Sequence, residues 1–342
     1  MTCHVLVLGA GSIGTFVGGK LAAAGARVTF VGRRRALDEI TVSGLRLTDL
    51  DGGDEAVASG AFAVSTEPDA VGSADLVLVA VKSAATASAV RGLVDKIRPG
   101  TVVLSLQNGI GNDAVIRDIL PSCVVLAGVV MFNVVHYPDG RFHRGTEGGL
   151  AVQDDPALAE FAGLFQRVGL SLRRYRDLLP VQWAKLLLNL NNPINALSGR
   201  PLREELADRN YRRGLALVQR EALAAMNRAR IRPARLTVLP PAMLARLLTV
   251  PDGIFGRIAG QVLAIDPVAR SSMADDLALG RPTEISWLCG EIVSLGAMVG
   301  APTPVNERLI ELVVAAEHGD RRTWTGPELL EQLRMAAETD HG

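Results

Sequence analysis

A glycine-rich segment directly follows an apolar run at the start of the chain. Residues 5–8 are β-branched or leucine, residues 9–14 have the spacing Gly-x-Gly-x-x-Gly, and residues 16–25 have the composition of a helix that stops at a glycine. Between a strand and a helix, this spacing forms a tight turn and lets backbone N–H groups approach a pyrophosphate at the helix N-terminus. We therefore predict a dinucleotide-binding loop. Its residues are Gly9, Ala10, Gly11, Ser12, Ile13 and Gly14.

The residues after the second predicted strand indicate which dinucleotide would bind. Residues 27–31 are rich in strand-forming types, and Gly32 is followed by Arg33, Arg34 and Arg35. NAD-binding proteins usually carry Asp or Glu at this strand end to hold the ribose 2′-hydroxyl. A guanidinium can instead hold a 2′-phosphate through two parallel charge-assisted hydrogen bonds. A basic cluster alone is usually a solvated surface, but together with the glycine loop it predicts NADP rather than NAD.

A lysine and two asparagines are spaced along a leucine-rich segment of the second half. Lys185, Asn189 and Asn192 lie at positions i, i+4 and i+7, which share one face of a helix. Burying a cation and two amides without a role would be unfavourable. A reductase needs such a proton donor for the oxygen that becomes an alkoxide. The spacing is equally consistent with a stripe that faces water on a helix ended by Pro193.

Two further polar segments have ordinary structural explanations. Residues 270–276 read Arg-Ser-Ser-Met-Ala-Asp-Asp, which is typical of a helix start with serine as the cap and aspartate in the first turn. Thr283 and Glu284 precede an apolar run and are typical of another helix N-terminus. Composition alone favours these explanations over a functional one.

The composition argues against several classes of partner. The chain has 342 residues, with 36 basic and 36 acidic side chains, so no net charge would attract nucleic acid or an anionic membrane. Three cysteines without Cys-x-x-Cys spacing and five histidines without ligand spacing predict neither disulfides nor a metal site. No secretory signal or membrane-spanning apolar run is visible. We expect a cytoplasmic protein that acts on a small molecule.

Strands and helices alternate along the first half of the chain. The strand-like runs are residues 74–81, 101–106 and 124–130, with a helical segment at 84–97 and short edge strands at 40–50 and 56–64. Such alternation indicates a doubly wound parallel sheet. Ligands of these sheets bind at the carboxyl ends of the strands, where Lys82 and Asn108 stand.

Long helical patterns replace the strands from about residue 179. The predicted helices are residues 181–190, 210–229, 240–248, 284–298 and 328–337. We therefore predict an α/β fold with two domains. Residues 1–178 would form a Rossmann-type domain with a doubly wound parallel sheet that binds NADP, and residues 179–342 an all-helical domain that binds substrate and supplies catalytic groups.

In their order along the chain, these motifs resemble the ketopantoate reductases, or 2-dehydropantoate 2-reductases. The resemblance is carried by Gly9-x-Gly11-x-x-Gly14, Val81-Lys82-Ser83, Leu106-Gln107-Asn108-Gly109, Lys185 to Asn189, Asn192-Pro193, Ser271-Ser272-Met273 and Thr283-Glu284-Ile285. It covers nearly the whole chain. It implies reduction of 2-dehydropantoate to pantoate with NADPH, a step toward pantothenate and coenzyme A.

The resemblance also implies roles for the matching residues around the substrate. Lys185 would be the general acid, and Glu284 would lie beside the substrate and the nicotinamide ribose and keep that lysine charged. Asn189 and Asn192 would hold substrate hydroxyl and carbonyl groups, and Ser272 would contact the substrate carboxylate.

Other matching positions belong to the cofactor. The resemblance places Lys82 and Asn108 along the cofactor, with Asn108 also reaching the substrate, and it places Arg33 at the 2′-phosphate. The segment from Lys185 to Pro193 is one residue shorter than the family pattern, so Asn191 could take the place assigned to Asn192; we choose Asn192 because it adjoins the proline.

Two other functions remain open at this point. The substrate could be another branched 2-oxo acid, since relatives with this architecture reduce such acids and a methylene changes binding by only about 1–3 kcal/mol. A cofactor sensor that has lost catalysis is the second alternative, although a sensor needs neither Lys185 nor Glu284. The helical half could also supply the interface of a homodimer.

Overall fold

The apolar run at the N-terminus forms the first strand of a parallel sheet. The structure, a computed structural model, describes residues 3–258, 269–320 and 323–339. The chain divides into two compact units, Met1–Leu178 and Leu179–Gly342. The elements of the first unit are β1 (His4–Leu8), α1 (Ser12–Ala23), β2 (Arg27–Val31), α2 (Arg34–Ser43), β3 (Leu45–Asp49), β4 (Asp54–Val57), β5 (Ala63–Ser65), β6 (Leu76–Val79), α3 (Thr86–Arg91), β7 (Val102–Ser105), α4 (Asn112–Ile119), β8 (Val124–Val130), β9 (Val134–Tyr137), β10 (Arg141–Arg144), β11 (Leu150–Gln153), α5 (Ala159–Arg167) and β12 (Leu172–Tyr175).

An eight-stranded sheet organises this unit, in the order β12-β11-β8-β7-β6-β1-β2-β5. All neighbours pair in parallel except β8 and β11, which are antiparallel. Both faces are covered, since Val5 and Val7 of β1 lie in one apolar cluster while Leu6 and Leu8 lie in another. The chain leaves β1 toward β2 on one side and returns at β6 on the other, so the carboxyl ends of β1 and β6 form the switch point where such sheets bind ligands. The predicted doubly wound sheet is confirmed.

A second sheet, in the order β4-β3-β10-β9, packs near the first helix. Phe16 and Leu21 of α1 share an apolar cluster with Leu45 and Leu47 of β3. The prediction of an edge strand from residue 40 was wrong for its first four residues, which belong to α2. Leu37 and Ile40 are both buried, three residues apart on one face of that helix, and this packing overrides the strand-like composition.

The predicted helix at residues 84–97 is also shorter than expected. Its α-helical part is α3, preceded by a single 3-10 turn at Ser83–Ala85 and followed by turns that reach the next strand. Gly92 stands at the C-cap of α3, where its low helix propensity favours termination.

Every regular element that the structure describes after residue 178 is a helix, as predicted. The elements of this unit are α6 (Leu179–Asn189), α7 (Asn191–Ser198), α8 (Leu202–Ala207), α9 (Arg209–Arg228), α10 (Pro241–Leu247), α11 (Asp252–Ile258), α12 (Ser272–Ala278), α13 (Cys289–Val299), α14 (Pro304–Glu317) and α15 (Gly326–Thr339). The buried Arg212 of α9 fixes one end of the unit by donating hydrogen bonds to the carbonyl oxygens of Leu206, Ala207, Leu248 and Val250.

Candidate active site

The glycine loop turns tightly between the ends of β1 and β6. Gly9 has a φ of +117°, and its N–H donates to Val31 O at 2.8 Å. A Cβ at Gly9 would lie 2.6 Å from the backbone of Ala80 and Val81, so only glycine fits there. A Cβ at Gly14 would lie 2.1 Å from Gly9 O. These two glycines let the start of α1 sit against the end of β1.

Gly11 differs from its neighbours because it faces open space. It is the N-cap residue of α1, it is exposed, and no side chain caps the helix there. A Cβ at Gly11 would meet no atom within 4 Å. The N-terminus of α1 therefore offers backbone N–H groups and the positive end of its dipole on an accessible side, which is the arrangement that favours phosphate.

Arg33 stands next to this loop. Gly32 follows β2, and a Cβ on it would lie 2.9 Å from Cβ of Ala10, so the chain after β2 runs against the glycine loop. Arg33 is the exposed N-cap residue of α2, and within the described ranges it forms no ion pair. Its guanidinium is therefore available to an anion from outside.

Lys82 and Asn108 follow β6 and β7 at the carboxyl edge of the sheet, and both are half-buried. Buried side chains beneath them join the two loops. Gln107 Nε2 donates to Val81 O at 2.9 Å and to Thr86 Oγ1 at 2.6 Å. Asn112 Nδ2 donates to Asn108 O at 2.8 Å. Hydrogen bonds from these two buried side chains thus hold the backbone at Asn108 and next to Lys82.

In the helical unit, Lys185, Asn189 and Asn192 do not share one helix. Lys185 and Asn189 lie on α6, which ends at Asn189, and Asn192 belongs to α7 after a break at Leu190. The alternative in which Pro193 ends the helix is also wrong, because Pro193 lies in the first turn of α7, where a missing N–H breaks no helical hydrogen bond. The three polar side chains are half-buried and do not form a fully solvated stripe.

Lys185 has an unusual electrostatic environment. It is flanked by the buried Ala184 and Leu186, and desolvation lowers the pKa of its ammonium from 10.5 to about 8. Taking the charged form out of water favours the neutral amine. The ammonium is consequently a stronger acid than that of a surface lysine, with a pKa close to physiological pH.

The two candidate amides at the start of α7 differ in how deeply they are buried. Asn191 is buried, and its Nδ2 donates to Glu205 Oε2 at 3.0 Å. Asn192 is half-buried, and its backbone carbonyl oxygen accepts a hydrogen bond from Ser271 Oγ at 3.2 Å. Asn192 is therefore the more accessible of the pair.

Ser271 and Ser272 have different positions at the start of α12. Ser271 is the buried N-cap residue, whose Oγ accepts from Ala274 N at 3.2 Å, as the capping explanation predicts. Ser272 begins the helix and is exposed.

Glu284 is half-buried before the 3-10 turn Ile285–Trp287, and the α-helix predicted from residue 284 begins at Cys289.

Two buried polar residues of this unit were not predicted from the sequence. Asn195 Oδ1 accepts from Ser271 N at 2.9 Å, and Asn195 Nδ2 donates to Arg200 O at 3.0 Å. Glu205 is completely buried on α8. The sequence contained one signal for this burial. Glu205 lies three residues after Leu202 and next to the buried Leu206, so it is on the apolar side of a short helix.

Residues 3–258, 269–320 and 323–339 contain neither a cluster of metal ligands nor a membrane-spanning helix. In these ranges no group of three or more His, Cys, Asp or Glu side chains is arranged to hold a metal ion. No helix there combines the length and apolar character needed to cross a bilayer. Cys3, Cys123 and Cys289 are free thiols.

Comparison with known proteins identifies the family. Residues 5–156 match the family model described as ketopantoate reductase PanE/ApbA, and residues 177–317 match the model for its C-terminal part. A relative from Halobacterium salinarum, named 2-dehydropantoate 2-reductase, is 32% identical over 92% of this chain and 99% of its own length. One from Mycobacterium tuberculosis with the same name is 28% identical over 93% and 99%.

Solved structures agree with this assignment. A PanE/ApbA family ketopantoate reductase from Ralstonia eutropha JMP134 has a TM-score of 0.78 and 31% identity, covering 92% of this chain and 98% of the other. A D-mandelate dehydrogenase solved with NADH and anilino(oxo)acetate has a TM-score of 0.72 at 20% identity over 92% and 98%, which shows a shared fold. The chain therefore belongs to the ketopantoate reductase family, whose members are nicotinamide-dependent oxidoreductases.

Proposed function

We propose that this protein reduces 2-dehydropantoate to pantoate with NADPH. The observation that carries the proposal is the desolvated ammonium of Lys185, with its pKa of about 8, on the helix that also carries Asn189. Desolvating a cation costs free energy of folding, and a catalytic role explains why the protein tolerates that cost. The reduction of a ketone requires such an acid. The names of the relatives from Halobacterium and Mycobacterium support 2-dehydropantoate as the ketone.

The first unit provides residues that fit the cofactor. The tight turn at Gly9 and Gly14 and the open space at Gly11 suit a pyrophosphate held by backbone N–H groups at the start of α1. Arg33 would hold the 2′-phosphate, and Lys82 and Asn108 would line the rest of the dinucleotide. When bound, NADPH supplies the hydride that adds to the C2 carbon of the ketone.

The second unit would supply the proton and the substrate contacts. Lys185 Nζ donates a proton to the C2 oxygen, which becomes the hydroxyl of pantoate, and the neutral amine then regains a proton from solvent. Before transfer, the positive charge polarises the carbonyl group. Glu284, as a carboxylate, would favour the charged form of Lys185 and orient it.

The remaining polar side chains would position the substrate. Asn189 and Asn192 offer amide groups for its hydroxyl and carbonyl oxygens, and the exposed hydroxyl of Ser272 can donate to its carboxylate. Glu284 would also contact the nicotinamide ribose. These contacts would give the enzyme its preference for a hydroxylated 2-oxo acid.

Substrate choice is tested with a matched pair of acids. We expect kcat/KM with NADPH to be at least about 100-fold higher for 2-dehydropantoate than for 3,3-dimethyl-2-oxobutanoate, which lacks only the hydroxyl group, because a site built to bind a hydroxyl strongly rejects an analogue without it. Steady-state oxidation of NADPH measures both values. An equal or higher value for the deoxy acid would assign the enzyme to a different 2-oxo acid.

Replacing Arg33 tests the cofactor assignment. The Arg33→Ala variant should bind NADPH about 10- to 100-fold more weakly and NADH almost unchanged, because only NADPH loses a charge-assisted hydrogen bond. Fluorescence titration with each cofactor gives the dissociation constants. Arg35→Ala, which removes another exposed arginine of α2, is the control and should keep the preference for NADPH. Equal losses for NADPH and NADH in the Arg33 variant would make Arg33 an ordinary surface residue.

Replacing Lys185 tests the proton donor. We expect Lys185→Ala to lower kcat/KM for 2-dehydropantoate by about 10²- to 10⁴-fold, the usual contribution of a general acid. The dissociation constant of NADPH should stay the same, and thermal stability should not fall, since the substitution removes a desolvated charge. Turnover close to that of the wild type would exclude Lys185 from the mechanism.

A further inference from the structure

Glu205 is a buried carboxyl group that the proposed mechanism does not use. It lies on α8 with no exposed surface, and no Lys, Arg or His side chain of the described residues forms an ion pair with it. An isolated carboxylate in such a place is strongly unfavourable, and the group responds by holding its proton. Desolvation is the main cause that raises the pKa of Glu205 from 4.5 to about 8; hydrogen bonds from Asn191 and Asn195 oppose the rise, and the nearby Asp208 adds a smaller contribution to it.

The partners of Glu205 also suit a neutral acid. Glu205 Oε2 accepts hydrogen bonds from Asn191 Nδ2 at 3.0 Å and Asn195 Nδ2 at 3.5 Å. Glu205 Oε1 and Asn191 Oδ1 are both buried acceptors, and no group in the described part of the chain donates to either of them. A proton on Oε1 would turn that atom from an acceptor into a donor, and Asn191 Oδ1, on the residue that already bonds to Oε2, is an acceptor that such a donor could satisfy.

The same residues connect two helices that carry proposed substrate contacts. Asn191 and Asn195 lie four residues apart on one face of α7, so both reach Glu205. Asn195 Oδ1 accepts from Ser271 N at 2.9 Å, and Ser271 Oγ donates to Asn192 O at 3.2 Å. Ser271 therefore joins the N-cap of α12 directly to α7, and Glu205 holds the Asn195 amide that takes part in this connection.

We propose that Glu205, as a neutral acid paired with Asn191, is a positioning residue that holds the starts of α7 and α12 so that Asn192 and Ser272 meet the substrate. Its kinetic consequence rests on the proposed function, because those two residues act on the substrate only if the protein reduces a 2-oxo acid. Glu205 itself touches neither reactant nor cofactor in this role. It acts through hydrogen bonds to Asn191 and Asn195.

Two substitutions separate a neutral acid from an ionised one. Glu205→Gln keeps one donor and one acceptor for Asn191, so kcat and KM should stay within about twofold of the wild type. Glu205→Ala leaves the amides without their partner, and KM for 2-dehydropantoate should rise about 10- to 100-fold while the dissociation constant of NADPH is unchanged. An equal rise in KM in both variants would show that the negative charge of Glu205 matters. An unchanged KM in Glu205→Ala would exclude the positioning role. Either result overturns the proposal.

An infrared measurement tests the protonation state without any turnover. The difference spectrum between the wild type and Glu205→Gln, recorded near pH 6 and thus about two units below the raised pKa, should contain the carbonyl stretch of a protonated carboxylic acid. A difference spectrum with only carboxylate bands would overturn the proposal, even if Glu205→Ala fails to fold. A wild type that shows the acid band but reduces no 2-oxo acid would instead refute the proposed function and, with it, the kinetic role of Glu205.

Discussion

Polar groups that are shut off from water must find partners inside the protein, and this constraint shapes both units next to their candidate site residues. In the first unit, Gln107 and Asn112 hydrogen-bond the loops that carry Lys82 and Asn108. In the second, Glu205 accepts from two amides of α7, and one of these amides, Asn195, accepts from the N-cap of α12. Each network is local to its unit, and each fixes backbone from which candidate site residues project.

The glycine loop instead leaves backbone N–H groups open to the outside. Gly9 and Gly14 leave no room for a side chain, so the start of α1 comes close to the end of β1 and presents N–H groups that have no partner within the helix. An anion outside the loop can accept hydrogen bonds from them.

Lys185 differs from the other candidate residues, because desolvation lowers its pKa to about 8 and makes its ammonium a stronger acid. In our proposal that property is used to protonate the substrate.

Much of the fold follows from local sequence patterns. The strands β2 and β8 have the predicted bounds, and the helical character of the second half is confirmed. The small sheet was harder to predict, since β10 pairs with β3 across more than ninety residues and no local pattern encodes such a partner. β12, with the sequence Leu-Arg-Arg-Tyr, has the polarity of a loop and becomes a strand by pairing with β11.

The candidate site was partly predictable for similar reasons. Motifs with fixed spacing gave the glycine loop, Arg33 and the residues at the carboxyl ends of β6 and β7. The break between α6 and α7 was missed, although Pro193 suits the first turn of a new helix and the buried Asn191 bonds to Glu205. Glu205 was missed because a glutamate in a short helix normally faces water, and its position relative to Leu202 and Leu206 is a weak signal beside the packing around α8 that buries it.

The central claim is that the Lys185 ammonium is the acid in the reduction of 2-dehydropantoate, and the pH dependence of kcat/KM for the wild-type enzyme tests it most directly. The charged form is the proton donor, so kcat/KM should be constant below the pKa of the free enzyme and fall by about tenfold per pH unit above about 8. A profile that stays flat through pH values well above 8 would contradict the claim, because a lysine with this pKa would by then have lost the proton that it is proposed to donate.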